Sequence, residues 1–444
     1  MKNIYIKDLY SSNSDEIELK CWLLRKRVHS EFIFLDLVDS TGKIQGVVSK
    51  KDFPALYDSL KRLKDDSAIS VNGEVESGKE GLDFNIRKVD VAAESTLNLT
   101  PNPRKIINPF SQSYVERIGL HPTFYMRNEK IAAAVKVKSY FKKNLADFFW
   151  EKGFMQFDPP TITLQTLYDD DSAFWIKING QDATLSRCAT FHLEPALFAY
   201  EKVFAITNSF SNERSRSDRH LSEYTHLKAE LAWVNLDELI DFAGNMYYEV
   251  SKKTVHDCKD EISVLGLFDT IDERVEKINP ENAVLITYDD AFKILMKKEI
   301  DFEYGKSLST ADEKIITNYF GEKFVWIKYI PRSAEGFPFK IKTDSPHLTM
   351  ACDLISSNGF GEILGTAEKI TDYDELLERM NEKGKISDEQ IARYADYLDL
   401  RKNGLPDHGG IGMGIERAVR YLLNLPHVRN TKAFPVVFGT KVNF

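Results

Sequence analysis

The chain has 444 residues, 43% of them hydrophobic, enough to fill two or three cores. No run approaches the ~18 apolar residues of a membrane span, and the opening MKNIYIKDLY lacks the apolar stretch of a signal peptide, so a cytoplasmic protein with no membrane partner is expected. A formal net charge of −9 excludes a generally basic nucleic-acid coat but leaves room for a local basic face, and four scattered cysteines without C-x-x-C spacing read as reduced thiols rather than zinc ligands.

In chain order, residues 16–93 read as an all-β module. Alternating runs at 17–24, 32–38, 43–48, 69–75 and 82–91 predict five strands, with a helix over 54–64 between the third and fourth. That order fits an OB barrel, a fold that binds single-stranded nucleic acid by stacking. Residues 1–95 then form a first domain, and the proline-bearing stretch 96–115 a linker to a second domain, 116–444. Apolar residues at helical spacing predict a long helix over 128–152, followed by a strand in FMQFDPP at 154–160. Runs at 203–207 and 224–233 predict a hairpin, and 236–258, 280–298 and 311–320 read as helices. The last two belong to an insertion around 250–320 whose role the sequence does not disclose. Strands at 324–330, 337–341, 348–355, 361–364 and 409–414 complete an antiparallel sheet, flanked by helices at 373–383, 388–402 and 415–425. The class is α+β.

The hairpin sequence, SFSNERSRSDRHLSEYTHLKAELAW at 209–233, carries Arg214, Arg216 and Arg219 at its tip. Guanidinium groups meet phosphate oxygens in bidentate pairs, so the tip reads as a polyanion site, with a solvated surface hairpin as the plainer alternative. The polyanion reading gains from GGIGMGIER at 409–417, whose glycines let a strand pass close beneath a ligand. No βαβ unit surrounds that run, so it is not a dinucleotide fingerprint. F-x-x-E ending at Glu213, RHLSEY at 219–224 and G-x-G-x-G-x-E-R ending at Arg417 together resemble motifs 2 and 3 of class II aminoacyl-tRNA synthetases, in the aspartyl/asparaginyl branch. GEILG at 361–365 and YLDLRK at 397–402 look most like the asparaginyl members.

The resemblance implies an OB-fold anticodon-binding domain ahead of a class II catalytic domain, and an ATP-dependent ligase that forms an aminoacyl-adenylate and passes the acyl group to tRNA. By the same likeness the amino acid is asparagine, the tRNA is that for asparagine, the cofactors are ATP and Mg²⁺, and the segment 128–160 makes a homodimer. Glu213 would hold the adenine edge and Tyr224 its face; Arg219 and His220 would meet the outer phosphates and Arg417 would clamp the γ-phosphate. Glu213, Arg219 and Arg417 are thus the implied catalytic residues. Ser211, Leu221, Glu362 and Gly414 complete the implied ATP site, and Asp353 with Glu362 the magnesium site. Thr190, Lys228, Gly365 and Lys369 fall at the amino-acid pocket. Arg27, Phe34 and Gln45 fall where the family contacts tRNA.

Several positions depart from the pattern. Ser211 stands where motif 2 carries an arginine for the α-phosphate, and Arg214 or Arg216 is the expected substitute. Thr190 replaces a glutamine, within LSRCATFHLE at 185–194, which aligns with a family strand; Lys228 replaces an acid and Lys369 an arginine. These departures keep two alternatives open. One is a diverged paralogue that adenylates or amidates another carboxylic acid outside translation; the other is a non-catalytic tRNA-binding regulator.

Overall fold

The computed structural model describes residues 4–11, 16–78, 81–96, 108–110, 126–167, 171–215, 217–385 and 387–439. The chain divides into two compact units, Met1–Ile107 and Asn108–Phe444. Most of the expected linker lies outside the described residues.

The first unit is a closed barrel of β1 (Ile17–Val28), β2 (Phe32–Asp39), β3 (Gly42–Ser49), β4 (Ala68–Gly78) and β5 (Gly81–Ala93), in the order β1-β2-β3-β5-β4. Helix α1 (Pro54–Arg62) lies between β3 and β4 in the chain, as the OB pattern requires. Strand alternation sends Leu19, Cys21 and Leu23, then Ile33, Leu35 and Leu37, into the core. The residues between them, Phe34 among them, face outward and are partly exposed. At Gly73 a side chain would meet the carbonyl oxygen of Asn85 at 2.0 Å, so the bulge in the β4–β5 ladder admits only glycine there.

The second unit begins with α2 (Glu129–Glu151), which Asn128 caps by accepting from the N–H groups of Lys130 and Ile131. There follow β6 (Met155–Gln156), β7 (Ile162–Thr163), β8 (Trp175–Ile178), β9 (Gln181–Leu185), the single turn α3 (Thr190–Leu193), β10 (Lys202–Phe210), β11 (Glu223–Ala232) and α4 (Leu236–Asp257). Then come β12 (Val284–Thr287), α5 (Tyr288–Lys297), α6 (Thr310–Tyr319), β13 (Val325–Lys328), β14 (Ala351–Ser356), β15 (Gly361–Glu368), α7 (Tyr373–Glu382), β16 (His408–Gly414) and α8 (Ile415–Leu422). Eight strands form one sheet in the order β12-β13-β14-β15-β16-β11-β10-β6, and β7, β9 and β8 form a small second one. Helices α2 and α4 pack on the large sheet through an aromatic cluster in which Phe149 stacks on Phe204 of β10, ring centroids 4.8 Å apart.

The structure corrects several expected elements. The large sheet is antiparallel only at its centre, because β12 pairs with β13, and β10 with β6, in parallel. Residues 280–298 are not one helix: Thr287 ends β12 and caps α5 in a reciprocal box with Asp290. The segment 185–194 is not a strand, since β9 stops at Leu185 and α3 starts at Thr190. Residues 388–402 break into short turns, and 337–341 makes isolated bridges, Phe339 with Lys369 and Ile341 with Thr349. The strand expected over 154–160 is two residues long, as Pro159 and Pro160 have no N–H to offer a ladder. No helix among the described residues is long and apolar enough to cross a membrane.

Candidate active site

Strand β11 builds the floor of a cavity of about 570 Å³ by simple alternation: Tyr224, His226, Lys228 and Glu230 all face it. Strand β16 runs antiparallel beside β11, with Gly414, Gly412 and Gly410 opposite His226, Lys228 and Glu230. A side chain at 412 would lie 2.4 Å from the Lys228 amine, and one at 410 would lie 2.5 Å from a Glu230 oxygen. The glycine run is therefore a space-maker for the polar side chains of the neighbouring strand.

Every residue assigned from the sequence to ATP, amino acid or metal lines this one cavity. Ser211, Glu213, Arg219, His220, Leu221 and Tyr224 come from the hairpin, and Gly414 and Arg417 from β16 and α8. Asp353, Glu362, Gly365 and Lys369 come from β14, β15 and the residue after it, and Thr190 from α3.

At the hairpin end, Arg417 donates from Nη1 to Glu362 Oε2 at 3.1 Å and from Nε to the Arg219 carbonyl at 3.4 Å. Arg219 in turn donates to Glu313 Oε2 at 2.8 Å. Glu313 lies on α6, so the insertion reaches into the site, with Tyr288, Ser307 and Leu308 beside it. Burial pushes the Glu313 carboxyl up to about 7, against the pull of Arg219. Burial, then Glu362, Glu335 and Glu313, hold the Asp353 carboxyl well above the ordinary range. Burial and the Arg417 charge lower His220, whose Nδ1 lies 3.0 Å from Ser215 Oγ, so it faces the cavity as a neutral imidazole. Burial lifts the Tyr224 hydroxyl to about 12, so that ring stays an uncharged platform.

The opposite end is charged and buried. Lys369 is buried with its amine 4.4 Å from the Phe339 ring centroid, and Thr190 accepts a bond from Cys188 Sγ at 3.2 Å. Glu230 is buried with Oε2 unpartnered, and its carboxyl is raised by that burial. Behind it, the fully buried Glu194 accepts from the Arg401 guanidinium and the Tyr397 hydroxyl, each at 2.7 Å. The YLDLRK segment thus supports the pocket from beneath.

Arg214 is exposed and does not line the cavity, so it is no substitute for a motif 2 arginine at 211; Arg216 lies outside the described residues. What the sequence reading missed is Arg187. Its Nη2 donates to Glu213 Oε1 at 3.1 Å, and it also bonds the Ser172 hydroxyl. It is the one arginine in LSRCATFHLE, the segment that also holds Thr190, and that was the available signal.

On the barrel of the first unit, Arg27 and Phe34 are cross-strand partners, with the guanidinium 5.9 Å from the ring centroid. Arg27 Nη2 donates to Gln45 Oε1 at 2.6 Å, and Gln45 Nε2 donates to Asp83 at 3.0 Å. The three residues form one linked outward patch.

Residues 121–437 match the family of class II tRNA synthetases (D, K and N), and 17–92 match the OB-fold nucleic acid binding domain. The chain belongs to the class II tRNA synthetases. It is accordingly a ligase, with the barrel of that class's nucleic-acid-binding domain ahead of the catalytic sheet. Among curated synthetases, it is 30% identical to the asparagine–tRNA ligase of Thermococcus kodakarensis, over 95% of this chain and 94% of that protein. It is 29% identical to that of Lactobacillus delbrueckii subsp. bulgaricus, over 97% of each. The asparaginyl-tRNA synthetase of Pyrococcus horikoshii, solved with asparaginyl-adenylate, superposes with a TM-score of 0.90 at 28% identity, covering 99% of both chains.

Proposed function

We propose that this synthetase is of the asparaginyl type: it activates asparagine with ATP as the adenylate and transfers the acyl group to the tRNA for asparagine. One observation carries the reading. The residues suited to a nucleotide and those suited to an amino acid alternate along one strand, from Tyr224 to Lys228, about 13 Å apart at ~3.3 Å per residue. A nucleotide stacked on Tyr224 then extends its phosphates toward Arg219 and Arg417, and an amino acid against Lys228 and Lys369 brings its carboxylate to the α-phosphorus. No covalent enzyme intermediate is needed; the protein positions the reactants and neutralises charge.

Glu213 holds the adenine edge, with Ser211 and Leu221 beside it, while Gly414 keeps the floor open. Mg²⁺ belongs with Asp353 and Glu362. Burial and the neighbouring carboxyl groups favour protonation of Asp353, and a divalent cation held by Asp353 and Glu362 would relieve that crowding and supply positive charge for the phosphates. Thr190 and Gly365 shape the amino-acid end. Arg27, Phe34 and Gln45 form a cation, ring and amide surface suited to unstacked bases. A homodimer through α2 and the base of the hairpin is supported by the exposed Trp150 of α2 and by the exposed Tyr200 and Trp233, which flank the ends of β10 and β11.

The test is asparagine-dependent pyrophosphate exchange with ATP and Mg²⁺, followed by charging of total tRNA. Exchange and charging with asparagine are expected; exchange with a different acid alone, or none, defeats the assignment.

A further inference from the structure

We propose that Arg187 supplies the guanidinium that neutralises the α-phosphate and the reacting carboxylate, a position for which the hairpin itself offers only Ser211. The inference rests on the adenylating reading above and names a residue for it.

The backbone fixes where Arg187 stands. The N–H of Phe210 donates to the Ser186 carbonyl at 2.9 Å, tying the peptide before Arg187 to the residue before Ser211. Two residues on, Asn212 N–H donates to the Ser172 carbonyl at 2.9 Å, and Ser172 is also a partner of the Arg187 side chain. The guanidinium is therefore laid along the 211–213 segment, with its side chain 10% exposed and one nitrogen on Glu213. Ser211 is buried and its hydroxyl has no partner, so this short side chain leaves room for the guanidinium without engaging it.

Position along the cavity gives the role. The Arg187 backbone meets the ring of His226, which stands on β11 midway between Tyr224 and Lys228, and the Arg187 charge reaches Tyr224. That is the junction of the nucleotide end and the amino-acid end, where the bond is made. A planar guanidinium carries five donors in a fixed fork, and two anionic oxygens arriving beside it take such donors in preference to a neutral hydroxyl such as that of Ser172. In the step itself, a carboxylate oxygen of the amino acid bonds to the α-phosphorus. The bridging bond to the β-phosphate breaks, and its electron pair leaves with pyrophosphate. No proton moves; negative charge grows on the equatorial oxygens of the α-phosphate, and a cation placed there acts on the transition state more than on bound ATP.

The experiment compares wild type, Arg187→Ala, Arg187→Lys and Ser211→Arg in amino-acid-dependent pyrophosphate exchange, with ATP binding measured by calorimetry. Arg187→Ala is expected to lower kcat by ~10²–10³-fold while ATP affinity changes by no more than about threefold. Arg187→Lys, which keeps the charge and loses the fork, should fall between. If Arg187→Ala does not fold, the lysine variant decides on the same criterion. An unchanged kcat, or a raised KM for ATP alone, overturns the proposal, since the arginine would then only orient Glu213. A roughly hundredfold gain from Ser211→Arg alone overturns it too, because the position would have been vacant. Wild type silent with all twenty amino acids defeats the functional reading and the proposal with it; active wild type with an indifferent Arg187→Ala defeats the proposal alone.

Discussion

Arg219 and Glu313, 94 residues apart in sequence, form an ion pair of 2.8 Å that fastens the hairpin to helix α6 of the 250–320 insertion. Glu313 is buried, and that burial, reinforced by Glu362, lifts its carboxyl from 4.5 to about 7. The unfolded chain thus ionises this group earlier than the folded one does. Between about pH 4.5 and 7 the folded state binds more protons, so stability falls as pH rises through that window and levels off above it. Replacing Glu313 by Gln keeps a hydrogen-bond acceptor for Arg219 and removes the titration. Urea midpoints across the window should decline in the ligand-free wild type relative to Glu313→Gln, by up to roughly 3 kcal/mol at the upper end. Parallel curves would place the titration elsewhere.

The parts of this site that were legible in the sequence lie on strands, in the loop that joins β10 to β11 and at the start of α8. Period-two alternation and the glycine run locate β10, β11 and β16, and Tyr224 and Lys228 on β11 and Gly414 on β16 face the cavity. Residues outside such patterns were illegible for a physical reason. Arg187 sits on the turn after β9, where its direction depends on the bond from Phe210 to Ser186 and not on any local period. Glu313 projects from a helix whose inward face is set by packing against α5, β14, β15 and the turn at Ser357–Gly359. The strand β12 was hidden because VLIT runs directly into the helical pattern of α5, and a short apolar run carries no period of its own.

Glu416, within the GIER of the glycine run, is a structural acid. It is 2% exposed, accepts from the Lys138 amine of α2 at 2.5 Å and from the Thr225 N–H of β11 at 2.9 Å. Glu416→Ala leaves a buried ammonium and a buried N–H unpaired, which should cost about 3–5 kcal/mol. Lys138→Met in that background removes the orphaned charge and should recover part of the loss. Denaturant midpoints of the single and double variants check it; a double variant no better than the single would mean water replaces the missing carboxylate.

On the barrel, Phe34 lies beneath the Arg27 guanidinium, which Gln45 and Asp36 hold in place. A base stacked on this ring gains dispersion, and the cation gains a phosphate. Phe34→Ala should weaken tRNA binding by about 1–3 kcal/mol without altering its salt dependence. Arg27→Ala should instead reduce the slope of log K against log salt by roughly 0.7. Filter binding of the cognate tRNA over a range of salt concentrations separates the two effects.

Lys228 brings a positive charge to the end of the cavity proposed for the amino acid. Its amine lies directly over Gly412, whose missing side chain makes the space, and Lys369, the residue after β15, adds a second ammonium. Glu230 and Glu335 are acids beside these amines, and burial favours the protonated form of each, so they offset the two cations incompletely. Such a pocket also admits a carboxylate side chain, so aspartate should be activated alongside asparagine. In Lys228→Gln the ratio of kcat/KM for aspartate over asparagine should fall at least tenfold, about 1.4 kcal/mol of charge discrimination. Pyrophosphate exchange with the two amino acids gives that ratio directly. A ratio unmoved by the substitution would mean that the Lys228 charge is spent on the nucleotide phosphates, four residues along the strand from Tyr224, and that Lys369 alone reads the side chain.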